Sequence, residues 1–203
     1  MSKIETVEQL RKVYKPALGR SLEKELTYLD PHCKKFITLA PFVAVATQGL
    51  DGLGDVAPRG EYSAVAKALD DHTVLIPDRP GNNRLDNYMN ILENSKVSLL
   101  FLIPGVNETL RINGVGEIRT DAVLLELFPV DGKLPITVLQ VTVHEAYLHC
   151  AKALMRSKLW SPEAIKERSV LPSMGQMIKD QTNSKDPVES QEAMEARYEK
   201  VLY

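Results

Sequence analysis

The stretch LIPDRPGNNRLDNYMNIL, residues 75–92, divides into three parts. Thr73 to Pro77 is short and apolar, the composition of a buried strand. Pro80-Gly81 makes a tight turn, and Asn82 or Asn83 can cap the helix read from about Arg84 to Leu92. A helix start leaves backbone N–H groups without intrahelical partners, and here Arg79 and Arg84 lie beside it. Arginine offers a planar fork of donors suited to a phosphate. Residue types alone admit two readings: an anion site, or a strand-to-helix turn whose arginines are simply solvated.

Around this stretch the chain changes period. Over the first forty residues apolar side chains recur at Val7, Leu10, Val13, Leu22, Leu26 and Leu29, which predicts helix, and Asp30-Pro31 reads as an N-cap and first turn. Phe42 to Thr47 (FVAVAT) is strand-like, and the glycines between Gly49 and Gly54 turn the chain back into Asp55–Pro58, a hairpin. Lys96 to Ile103 (KVSLLFLI) carries enough large residues to suggest burial on both faces. Glu108 to Arg119 alternates, with Gly114 and Gly116 marking a kink or bulge, and Ile136 to Glu145 is the last strand. A second helix is expected near Ala122–Phe128, another after His149, then a polar tail with a terminal helix from about Ser190 to Tyr203. Strands interrupted irregularly by helices favour an antiparallel barrel over a doubly wound sheet.

The bulk composition narrows the function. A net charge of -2 over 203 residues argues against a broad basic surface for nucleic acid. The start MSKIETVEQLRKVYK has no signal-peptide core and no later stretch is long enough to span a bilayer, so cytoplasmic residence is expected. Gly52-Leu-Gly54-Asp-Val-Ala57 matches the dinucleotide pattern, but Pro58 and Gly60 follow where a helix should open. His144 and His149 lie five apart in a strand, on opposite sides, which argues against a shared metal ion; no metal site is expected. Cys33 and Cys150 stand in no CxxC pair, and no nucleophile is partnered with a base, so no catalytic residue is assigned.

The blocks DVAPRGE, TVLIPDRPGNNRLDNYMNILEN, VSLLFLIPGVNETLRINGVGEI and EAYLHCAKALMRSKLW together resemble the pyridoxamine 5′-phosphate oxidase-like FMN-binding proteins, from about Phe36 to Gln181. The resemblance implies an α+β fold that is mainly β: an antiparallel FMN-binding split β-barrel over residues 41–160. Helical extensions would occupy residues 1–40 and 161–203. It implies FMN as cofactor and a homodimer with the flavin at the subunit interface. By position, Arg59 and Gly60 resemble the first-strand flavin contact, and Ile76, Pro77 and Asp78 the backbone rail along the ring. Arg79, Asn82, Asn83, Arg84 and Leu85 resemble the phosphate loop, and Arg111 a strand approaching the partner's flavin. Lys152, Arg156 and Trp160 fall in the segment that closes the pocket; Trp160 also reads as a packing anchor for the last helix.

Two departures from the authentic oxidase separate the cofactor from the substrate. Arg59 is not followed by the usual R-x-x-x-L-K strand, and the residue ten after Trp160 is Val170, not arginine. The resemblance therefore implies an FMN-dependent oxidoreductase acting on an unidentified small molecule. A flavin-binding or sensing protein without turnover, or a split barrel carrying haem or a deazaflavin, are the alternatives.

Overall fold

A computed structural model describes residues 3–203. Helices α1 (Val7–Val13), α2 (Arg20–Glu23) and α3 (Pro31–Leu39) precede strands β1 (Phe42–Gln48), β2 (Gly54–Gly60), β3 (Lys67–Ala68) and β4 (Thr73–Asp78). Helix α4 (Asp86–Glu93) leads to β5 (Lys96–Leu102), β6 (Thr109–Arg119), α5 (Ala122–Leu125) and β7 (Thr137–His149). Helices α6 (Lys152–Ser157), α7 (Met174–Thr182) and α8 (Gln191–Glu199) follow. The seven strands form one antiparallel sheet in the order β2-β1-β5-β6-β7-β4-β3. This is the antiparallel α+β split barrel that the sequence predicts, with more helix than its mainly β expectation.

The sheet curls around one core. Val43 and Val45 of β1, Val97, Leu99 and Phe101 of β5, and Leu110 and Ile112 of β6 point to the same side and meet Ile76 of β4. Helix α3 adds Cys33, Phe36 and Ile37, and α4 adds Tyr88 and Ile91. Asp30 caps α3, accepting from the Cys33 backbone N–H at 2.7 Å, with Pro31 in the first turn as the sequence suggests. A second, smaller cluster of Leu75, Val138 and Phe128 covers the other face of β4 and β7, under the α5 segment.

The pairing of β6 with β7 shifts register between Asn113 and Gly114, leaving His144 as the extra residue. The buried phase of β7 moves from Leu139, Val141 and Val143 to Ala146 across this bulge. Alternation therefore does not run unbroken from His144 to His149, and the strand continues past the expected end at Glu145 to His149. Gly114 sits at the close approach: a Cβ there would meet the Thr142 carbonyl oxygen at 2.0 Å.

Elsewhere the elements are shorter than their sequence patterns. The stripe at Val7, Leu10 and Val13 forms α1 but stays exposed. Leu26 pairs its backbone with Ala146 as an isolated bridge instead of joining a helix. Lys158 in the left-handed region (φ 51°) ends α6 after six residues, and α7 forms within the expected polar tail. Among the described residues no helix is long and apolar enough to cross a membrane.

Candidate functional site

Strand β2 is an edge strand, bonded only to β1, which is why it accommodates Pro58. Its alternation turns Asp55, Ala57 and Arg59 inward and leaves Val56 and Pro58 exposed; Glu61 continues the inward row. Because the sheet curls, this row faces the end of β4 across a cleft of about 620 Å³. Pro77, Asp78, Arg79 and the loop to Leu85 form the opposite wall, with Tyr88 of α4 and Thr137 of β7 also lining it.

Each cleft arginine has a carboxylate partner. Arg59 Nε lies 3.5 Å from Asp78 Oδ1, and its guanidinium sits 5.9 Å from the centre of the Tyr88 ring. Burial pushes the Asp78 carboxyl above the ordinary carboxylate range, while Arg59 and Tyr88 pull it back. Burial likewise pushes the Tyr88 phenol up to about 12, and Thr137 Oγ1 lies 3.4 Å from its oxygen. Arg79 Nε donates to Glu61 Oε1 at 2.8 Å and its Nη2 to the Phe128 carbonyl at 3.0 Å. Arg84 Nε donates to Asp86 Oδ2 at 2.8 Å in the open.

The loop enters α4 in an unusual way. Asn83 and Leu85 both hold left-handed backbone (φ 58° and 57°), and Leu85, at the N-cap, has no side-chain oxygen to offer the first turn. The N-terminal N–H groups of α4 are thus left without the side-chain cap that the asparagines were expected to supply; Asn82 Oδ1 instead accepts from the Arg84 backbone N–H at 3.1 Å. Within the first turn, Asn87 Nδ2 donates to Thr47 Oγ1 at 2.9 Å and to Asp55 Oδ2 at 3.0 Å, tying α4 to the β1–β2 hairpin.

Of the residues singled out from sequence, Arg59, Gly60, Pro77, Asp78, Arg79, Asn82, Asn83, Arg84 and Leu85 line this one cleft. Ile76 lies in the core, 1% exposed as a whole residue, and does not line the cleft. Arg111 lies elsewhere, beside a hollow of about 330 Å³ with Ala44, Ala46, Leu100 and His149. Lys152 and Arg156 on α6 are exposed. Trp160, half-buried in the turn after α6, donates from Nε1 to the Val106 carbonyl at 2.8 Å. None of these last four lines the cleft. Sequence reasoning passed over Asp55, Glu61, Asn87, Tyr88 and Thr137, although Glu61, two residues beyond Arg59, shares its strand face by simple alternation. Among the described residues no group of three or more His, Cys, Asp or Glu is placed to hold a metal ion.

Comparison with known proteins agrees with this architecture. A variant of the HupZ protein of Group A Streptococcus is similar in structure, with 18% identity and a TM-score of 0.50 over 60% of this chain and 99% of that one. General stress protein 26 of Bacillus anthracis str. Sterne is 15% identical, with a TM-score of 0.44 over 58% of this chain and 93% of its own. An FMN-binding protein of Syntrophomonas wolfei is 12% identical, with a TM-score of 0.45 over 58% and 83%. No curated protein matches the chain. The family model described as pyridoxamine 5′-phosphate oxidase matches residues 29–150, more than half of the sequence and the whole run from Leu29 in the core to the end of β7. The chain belongs to the pyridoxamine 5′-phosphate oxidase family.

Proposed function

We propose that this protein binds FMN in the cleft between β2 and β4 and acts as an FMN-dependent oxidoreductase on a small molecule, as a homodimer. The observation that carries the reading is the donor set gathered at one end of the cleft. The uncapped N-terminus of α4 and the exposed Arg84 guanidinium lie there together, in a chain of this family. Helix N-termini and arginine forks both favour a phosphate. The cleft volume falls within the range of about 300–1,000 Å³ usual for small-molecule and cofactor sites.

Within this site the chain's own residues bind and orient. Arg84 is the phosphate contact, because releasing it from Asp86 exposes only groups that are already solvated. Arg59 holds its place over Tyr88 through Asp78 and contributes positive charge midway along the cleft. Pro77 and Asp78 offer main chain to a flat ring, with Ile76 before them fixed in the core. FMN, when bound, supplies the two-electron chemistry, so the protein need only position it and set its surroundings.

The dimer supplies what one subunit lacks. Ala44, Ala46 and Leu100 expose a small, apolar patch on the outer face of β1 and β5, and Val56 extends it along β2. A second copy on this face would cover the patch and bring its own Arg111 toward the cleft, with Lys152, Arg156 and Trp160 following on the same side. The experiment is the absorbance spectrum of the purified protein before and after added FMN, then addition of NADH or NADPH. Uptake of FMN with faster bleaching than free flavin supports the oxidoreductase. Uptake without faster bleaching leaves a flavin-binding protein, and no uptake removes the proposal.

A further inference from the structure

We propose that Arg79 is a positioning residue and not a ligand of the phosphate: it fastens the loop to the far wall of the cleft, leaving Arg84 to meet the anion. The inference deepens the FMN reading and rests on it for the ligand, though not for the fastening.

The two cleft walls share no backbone hydrogen bonds, since β2 pairs only with β1 while β4 pairs with β7 and β3. Besides the Asn87–Asp55 hydrogen bond, they are joined by a pair of ion pairs with crossed charges. Arg59 of β2 reaches Asp78 of β4, and Glu61, just past β2, reaches Arg79, just past β4. The second is the closer and drier of the two: 2.8 Å against 3.5 Å, with its side chains 13% and 9% exposed.

Arg79 has further contacts within the protein. Its Nη2 satisfies the Phe128 carbonyl beyond α5, and the Tyr203 ring centre lies 5.6 Å from its guanidinium carbon. A phosphate that drew this side chain away from Glu61 would leave that carboxylate unpaired in a largely buried place and free the Phe128 carbonyl, so the two contacts hold the guanidinium where it is. Arg84 faces no such cost: its side chain is 73% exposed and its one carboxylate partner is two residues away on the same segment. The fastening explains the loop's shape too. A leucine in left-handed backbone, as at Leu85, persists only where flanking contacts impose it, and the Arg79 contacts hold one end of the loop while α4 holds the other.

Thermal unfolding of the ligand-free full-length chain, and its affinity for FMN and for riboflavin, separate the roles. Arg79→Gln and Glu61→Gln should each lower the ligand-free Tm by about 5 °C or more, and the double variant by little more than either alone. Arg79→Gln should weaken FMN and riboflavin by the same factor. Arg84→Gln should weaken FMN by about tenfold or more and leave riboflavin unchanged. Additive Tm losses would overturn the fastening, as would an Arg79→Gln protein that loses FMN but keeps riboflavin. Should Arg79→Gln fail to fold, Arg79→Lys, which keeps the charge and loses the fork, provides the same FMN-to-riboflavin comparison. A wild-type chain that takes up neither flavin ends the FMN reading, while the ligand-free cycle still decides whether Arg79 and Glu61 act as one unit.

Discussion

At the scale of single residues, Asp78 sets burial against charge. Its carboxyl is pushed up by burial and pulled back by Arg59 at 3.5 Å and by Tyr88. The folded chain thus holds the Asp78 proton more tightly than the unfolded chain does. The stability it lends is complete below the ordinary carboxyl pKa of about 3.9 and is lost as pH rises through the raised midpoint. Arg59→Gln removes the opposing charge, so carbon-13 NMR of the carboxyl should show the Asp78 midpoint rising further; an unchanged or lowered midpoint would mean the pair is not formed. The arginines were legible in the sequence as anion-binding side chains. Their carboxylate partners were not, because Glu61 meets Arg79 only after two strands that share no hydrogen bonds are brought face to face. The left-handed backbone of Leu85 was equally hidden, since the asparagines beside it are the better candidates for that conformation.

Among the elements, the long β6–β7 pair carries the most geometric constraint. Gly114 and Gly116 announced an irregularity in β6, yet the extra residue lies on β7 at His144. A glycine reports a close approach without saying which neighbour supplies the bulk. Gly114→Ala would press a Cβ into the Thr142 backbone, which has nowhere to move within the ladder. We expect a loss of about 3 kcal/mol in urea denaturation. Gly54→Ala, whose Cβ meets nothing within 4 Å, should change stability by less than about 1 kcal/mol. Equal effects at the two positions would contradict the bulge geometry. Most strands were readable because their burial alternates, and β4 because it is a short apolar run; α7 was not, because its polar composition masks a capped helix. Ser173 accepting from the Gln176 backbone N–H is its start, and the Ser-x-x-Gln spacing was the signal for it.

For the whole molecule, the density of Lys96–Ile103 suggested a strand buried on both faces. In one chain β5 buries Val97, Leu99 and Phe101, while Leu100 on the other side stays 37% exposed. The reading from sequence is reconciled with the structure if a second subunit covers that side. Light scattering at micromolar concentration should give a dimer, and Leu100→Asp should give a monomer with weakened FMN binding; a monomeric wild type would contradict the shared interface. The split barrel itself was legible because its blocks are family-like and its periods are regular. Less legible was the role of Arg111, Lys152, Arg156 and Trp160, which the resemblance implies for the pocket but which do not line the cleft of the chain. The central claim is that the cleft holds a flavin by its phosphate. Its most direct measurement is an equilibrium titration of ligand-free protein with FMN and with riboflavin, followed by quenching of flavin fluorescence. The account predicts FMN binding at least about tenfold tighter than riboflavin, and equal affinities, or no quenching by either, would contradict it.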